Sequence, residues 1–181
     1  MQSVNEQKTI KTLGIIGLVS VIASQPEILG IVIAFAASLI SVVATYWALY
    51  LLDKRFGGLN LFKVSIYQLV IYVPLMIVML LFPNNPDAVN SQMHMVYILF
   101  GLMMALLLLI AFTNYKMAKK LATIAKLANN AFFKYAAWLL LISAYTMPFI
   151  IGLIFFFFLI ILFLIGCIVY KEPTTTQLIS N

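Results

Sequence analysis

The chain has 181 residues, 65% of them apolar or aromatic and 9% charged, with 11 Lys and Arg against 5 Asp and Glu for a net charge of +6. Soluble domains carry about a quarter charged residues and at most about half apolar ones. A water-soluble globule is therefore excluded, as are a disordered chain and a disulfide-stapled scaffold. What is left is an all-α polytopic transmembrane helix bundle, one transmembrane domain over 1–171 with a short polar tail at 172–181.

A bilayer core about 30 Å thick takes about 20 helical residues. As one helix, the apolar run between Lys11 and Asp53 would reach about 60 Å, and Gln25-Pro26-Glu27 interrupts it. Proline removes a donor and disfavours helix at the residue before it. The run thus reads as a hairpin of two spans, 12–25 and 28–52. A third span covers 64–82, and Pro83-Asn84-Asn85-Pro86-Asp87 is a strong turn signal before a fourth at 93–112. Thr146-Met147-Pro148 divides the run between Lys134 and Lys171 into 134–147 and 149–170. Six spans in three hairpins are expected. The first and fifth are short, so the alternative is four spans plus two re-entrant hairpins.

Lys and Arg gather on the cytoplasmic side of membrane proteins. With three hairpins all 11 fall on one side, while Glu27 and Asp87 fall on the other. A multi-pass protein of the cell (plasma) membrane with both termini cytoplasmic is the expected topology. Lys8 and Lys11 ahead of an apolar Leu13–Ala23 core also have the shape of a signal peptide; a retained first span is the preferred reading.

Gly30, Ala34, Ala37, Ser41, Ala44 and Ala48 form a heptad seam of small residues on the second span. In lipid, close backbone approach holds helices together, so this helix is expected at the centre of the bundle or at a subunit interface. Gly101 and Ala105 offer a shorter seam on the fourth. Phe155-Phe156-Phe157-Phe158 and the run after it have no polar face, which predicts a lipid-facing sixth span. Tyr46, Trp47, Tyr50, Tyr135 and Trp138 suit an interfacial aromatic belt. Past Asn114 the fourth span continues as a basic amphipathic helix, 113–128. Lys116, Lys119, Lys120 and Lys126 lie on one side, Ala118, Leu121, Ala122, Ala125 and Ala128 on the other. This pattern predicts contact with anionic headgroups or docking under the bundle, with nucleic acid not expected as a partner.

Chemistry is sparse. No ionisable group lies in the interior of any span, where one would point to a proton relay or ion path. Asp53 reads as a surface ion pair beside Lys54 and Arg55, and His94 as an interfacial side chain. A nucleophile needs a base and a metal needs several ligands, so no catalytic, cofactor-binding or metal residue is expected, nor an enzyme. Gln68 should face protein, since an amide in hydrocarbon needs a partner. Two functions follow: a non-catalytic accessory or self-associating scaffold subunit of a membrane complex, or a small-solute permease or channel whose path is lined by Gln68, Ser41, Thr45 and Tyr72.

Short motifs repeat. Pro26-Glu27-Ile28-Leu29-Gly30 and Pro148-Phe149-Ile150-Ile151-Gly152 share Pro-x-Ile-x-Gly, and Asn60-Leu61-Phe62-Lys63 echoes Asn130-Ala131-Phe132-Phe133-Lys134. Lys11-Thr12-Leu13-Gly14-Ile15-Ile16-Gly17 resembles the opening Lys-Thr-Leu-Gly-Gly-Ile-Gly of the largely archaeal membrane family known as domain of unknown function 996. Leu61-Phe62-Lys63 is similar to that family's Ile-Phe-Lys, and the basic 115–128 stretch, Phe132-Phe133-Lys134 and Gly152 resemble its C-terminal half. The resemblance runs from about residue 10 to 171 and implies a multi-pass topology and a lineage, with no biochemical activity attached. Ile15 stands where the family has its second Gly, so close packing at that position is not implied.

Overall fold

The computed structural model describes residues 2–25, 30–83, 93–147 and 151–171. Among the described residues are six α-helices and no strand: α1 (Gln2–Ala23), α2 (Ile31–Arg55), α3 (Leu61–Leu81), α4 (Met93–Leu127), α5 (Ala131–Thr146) and α6 (Ile151–Val169). Val32–Arg55, Leu61–Leu81 and Met93–Leu127 are long and apolar enough to cross a membrane; Ala131–Thr146 and Phe158–Val169 are shorter. Each long apolar run is present as two helices. Pro26, Pro148 and the 84–92 turn lie outside the described residues, as does the tail from 172.

Helix ends differ from the expected spans for local reasons. α1 starts at Gln2 rather than at 12, and Glu6 on its polar first part accepts from Lys54 Nζ of α2 at 3.0 Å. Pro74 does not end α3. α4 runs for 35 residues, so the expected fourth span and the basic helix are one rod of about 52 Å. No Gly or Pro falls between 102 and 127 to stop it. Its basic half buries Met117, Ala118, Leu121, Ile124 and Ala125, a stripe at helical spacing, so this segment docks on the bundle through its apolar side.

Each helix packs on its neighbour in sequence, and α1 on α6 closes the set into a ring whose thinnest contact is α2 on α3. One core cluster joins Ile10, Ala48, Leu52, Leu121, Phe133 and Leu164 among others; a second, between α3 and α4, holds Leu75, Val78, Leu99, Leu107 and Ile110 with Met147. Four contacts bring together the helix ends that carry the cations. Lys54 meets Glu6, Gln7 Nε2 donates to the Tyr170 carbonyl at 3.2 Å, Asn130 Nδ2 to the Gly166 carbonyl at 2.9 Å, and Lys120 to the Leu59 carbonyl. The basic residues therefore share one end of the bundle.

The turn from α2 to α3 is built from its own residues. Gly57 and Gly58 have φ of 77° and 75°, in the left-handed region that glycine enters without a Cβ clash, and Gly58 N–H closes on the Asp53 carbonyl at 3.0 Å. The Asp53 carboxylate accepts from Leu61 N at 3.0 Å and Phe62 N at 3.4 Å, capping α3. Its expected role as a surface ion pair is corrected on that ground: two free N–H groups at a helix start, at the positive end of the helix dipole, hold the carboxylate. Asn130 does the same for α5, accepting from Phe132 N at 3.0 Å and Phe133 N at 3.3 Å.

One expectation about a packing face is overturned. α6 is not simply lipid-facing: Leu159, Phe163, Leu164, Cys167 and Tyr170 are buried between α1 and α5. An all-apolar helix carries no pattern to mark which side meets protein, and here small partners decide it. A Cβ on Gly14 would stand 2.8 Å from the Leu164 carbonyl oxygen, and one on Gly166 would stand 2.5 Å from the Phe133 ring. Gly101 and Ala105 are exposed, with nothing near the Gly101 Cβ position, so the short seam on α4 packs against no other described helix of the chain.

Candidate functional site

On α2 the small-residue seam is buried from Ala34 through Ala37, Ser41, Ala44 and Ala48. Gly30 does not belong to it. It precedes the helix, is exposed, and has φ of 80°, so its role is to admit the chain into α2 by a turn that a side chain would strain. The seam faces mainly α1, and its placement within a single chain follows from the need of two backbones to approach where lipid supplies no hydrophobic drive.

A line of polar groups joins α3, α4 and α5. Gln68 Nε2 on α3 donates to Asn114 Oδ1 on α4 at 2.7 Å, and Asn114 Nδ2 donates to Ser143 Oγ on α5 at 3.2 Å. All three are at least 98% buried. One turn before Gln68, Ser65 Oγ donates to the Leu61 carbonyl at 2.9 Å and contacts Met117 Sδ at 3.7 Å. Tyr46 OH donates to the Ser65 carbonyl at 3.2 Å, which turns this ring between α2 and α3 rather than out into an aromatic belt. Trp47, Tyr50, Tyr135 and Trp138 are exposed as that belt requires.

Of the residues expected to line a path, Gln68 is engaged with Asn114, and Tyr72 lies one turn further along the same face of α3. Thr45 Oγ1 donates to the Ser41 carbonyl of its own helix at 2.8 Å, so those two residues are joined on α2. Asn114 was not among the expected site residues. At the junction of an apolar run and a basic one it resembles a span boundary, yet it shares a face with Leu107, Ile110 and Met117, the helical spacing that marks an inward position.

The four lysines of the basic half of α4 have different surroundings. Lys116 Nζ sits 4.3 Å from the centre of the Phe112 ring and Lys119 Nζ 4.5 Å from that of Tyr115, both within reach of a cation–π attraction. Lys120 is tied to the Leu59 carbonyl. Lys126, in the last turn of α4, and Lys119 line a groove of about 830 Å³ between α4 and α5, together with Lys134 and Asn129. None of Gln68, Ser41, Thr45 and Tyr72 lines that groove. Among the described residues no three His, Cys, Asp or Glu side chains come together.

The chain matches no family model, no curated protein and no solved structure.

Proposed function

We propose that the chain is a multi-pass plasma-membrane protein of six crossings with its basic end and both termini in the cytoplasm, acting as a non-catalytic accessory or self-associating scaffold subunit. One observation carries this reading: the polar groups buried at the heart of the bundle are bonded to one another, Gln68 to Asn114 to Ser143. Interhelical hydrogen bonds of this kind hold helices in register. The topology is supported by the convergence of the lysine-bearing ends, since an excess of Lys and Arg marks the cytoplasmic face. At that face Lys116, Lys119, Lys120 and Lys126 meet anionic headgroups. A lineage shared with the archaeal family of domain of unknown function 996 belongs to the same proposal. Its opening motif contributes Gly14 and Gly17, both of which pack against Leu164, while Ile15 between them is exposed.

Native purification in mild detergent tests the scaffold reading. A stoichiometric partner or a defined homo-oligomer is the expected result; a lone monomer that conducts a small neutral solute in proteoliposomes would favour the permease reading instead. That second reading draws on the adjacency of Gln68 and Tyr72 on α3, and Gln68→Leu would then abolish flux.

A further inference from the structure

The groove between α4 and α5 has unlike ends. Lys126, Lys134 and Asn129 stand at one, Lys119 lies two turns back along α4 with its ammonium on the Tyr115 ring, and no Asp or Glu lines the groove. Trp138, Leu141 and Tyr145 stand at the other. Along α5, Trp138 follows Lys134 by one helical turn and Tyr145 lies about 16 Å from Lys134, so the groove leads from a cationic mouth into a mainly apolar trough. The trough is open because its floor is alanine: Ala118, Ala122 and Ala125 on α4 face Ala137 on α5, and side chains ending at Cβ leave the space between two packed helices unfilled. Trp138 and Tyr145 border the trough yet are 58% and 70% exposed, with their rings free to meet a chain. A volume of about 830 Å³ suits one small molecule, for which sites run from about 300 to 1,000 Å³.

We propose that this groove holds one anionic phospholipid, its phosphate between Lys126 and Lys134 and an acyl chain laid along Trp138, Leu141 and Tyr145. Charge complementarity selects the headgroup, and the gradient from cationic to apolar selects an amphiphile. A free phosphate would use the lysines and leave the aromatic end empty. The site's two cations, Lys126 and Lys134, come from α4 and α5, while Lys116, Lys119 and Lys120 are turned to Phe112, to Tyr115 and to the α2–α3 loop. The site is therefore a discrete place within the basic end, and it rests on the reading that this end faces the cytoplasmic leaflet.

The test uses Trp fluorescence of the full chain in nanodiscs. Trp47→Phe leaves Trp138 as the sole indole, since the chain has 2 Trp. Phosphatidylglycerol with brominated acyl chains is expected to quench Trp138 at a mole fraction at least tenfold below that needed with brominated phosphatidylcholine. Lys126→Gln with Lys134→Gln should abolish that preference, each lysine contributing up to about fivefold at low salt. Lys8→Gln with Lys11→Gln, an equal loss of charge on α1, should leave it unchanged. Equal quenching by the two lipids, or an equal loss in the α1 control, would overturn the site. Displacement of the quencher by inorganic phosphate alone would also overturn it, by showing a free anion as occupant. If the groove variant fails to fold, the unsubstituted protein decides by native mass spectrometry from a mixture of the two lipids: one retained phosphatidylglycerol is expected, and none, or equal retention of both, contradicts the proposal. Nanodiscs expose both faces, so failure here is distinguishable from failure of the cytoplasmic assignment, which impermeant labelling of intact cells reads separately.

Discussion

Gln68 Nε2 lies 2.7 Å from Asn114 Oδ1, an amide-to-amide hydrogen bond between α3 and α4 that neither water nor lipid reaches. Asn114 passes its own N–H to Ser143 of α5, so one buried level of the bundle joins three helices. Gln68→Leu or Asn114→Leu strands the other amide in an apolar surround and should each lower stability by about 1–2 kcal/mol. The double variant leaves no orphaned amide and should lose less than the sum. Thermal unfolding of the four proteins in detergent reads this coupling, and strictly additive losses would mean that the two amides do not act as a pair.

The contact of α1 with α6 depends on absent side chains. At Gly14 a Cβ would press on the Leu164 carbonyl oxygen at 2.8 Å, whereas at Gly17 it would meet a Leu164 methyl at 2.6 Å. Backbone cannot move aside cheaply and a side-chain end can. Gly14→Ala should therefore destabilise by about 1–3 kcal/mol, with Gly17→Ala milder, as compared by melting temperature.

Asp53 should matter through its carboxylate oxygens rather than its net charge. Asp53→Ala removes both acceptors from the start of α3 and should cost about 1–2 kcal/mol, while Asp53→Asn keeps one acceptor and should retain part of it. Equal losses in the two variants would count against the capping role.

On α2, Ala44→Leu forces bulk into the buried seam and should cost about 1–3 kcal/mol or prevent folding. Its neighbour Val43 is 60% exposed, so Val43→Leu should leave the melting temperature unchanged.

How far the sequence is legible depends on whether a residue's pattern names its surroundings. Two helices in each long run, Gln68 facing protein, and the seam from Ala34 to Ala48 are all read from spacing and the cost of a polar group in hydrocarbon, and the structure agrees. Gly30 is misread because a small residue at heptad spacing can equally be a glycine required by a positive φ. The inward side of α6 leaves no trace in a run such as Leu159–Leu164, where every residue is apolar and the partners Gly14 and Phe133 lie far away in sequence. Asn114 and Lys134 acquire their roles only when α4 and α5 are laid side by side. Capping by Asp53 is hidden by the two cations that follow it, which offer a simpler explanation of the same charge.

The central claim is that the basic end lies in the cytoplasm and that the chain doubles back across the membrane. Replacing Cys167 with Ala removes the only thiol. Single cysteines at Gly57, Asn85 and Asn129 can then be probed with a membrane-impermeant maleimide on intact cells. Labelling of Asn85→Cys alone, with Gly57→Cys and Asn129→Cys reacting only after the membrane is opened, is the predicted result. Labelling of Gly57→Cys from outside, or of Gly57→Cys and Asn85→Cys from the same side, would contradict it.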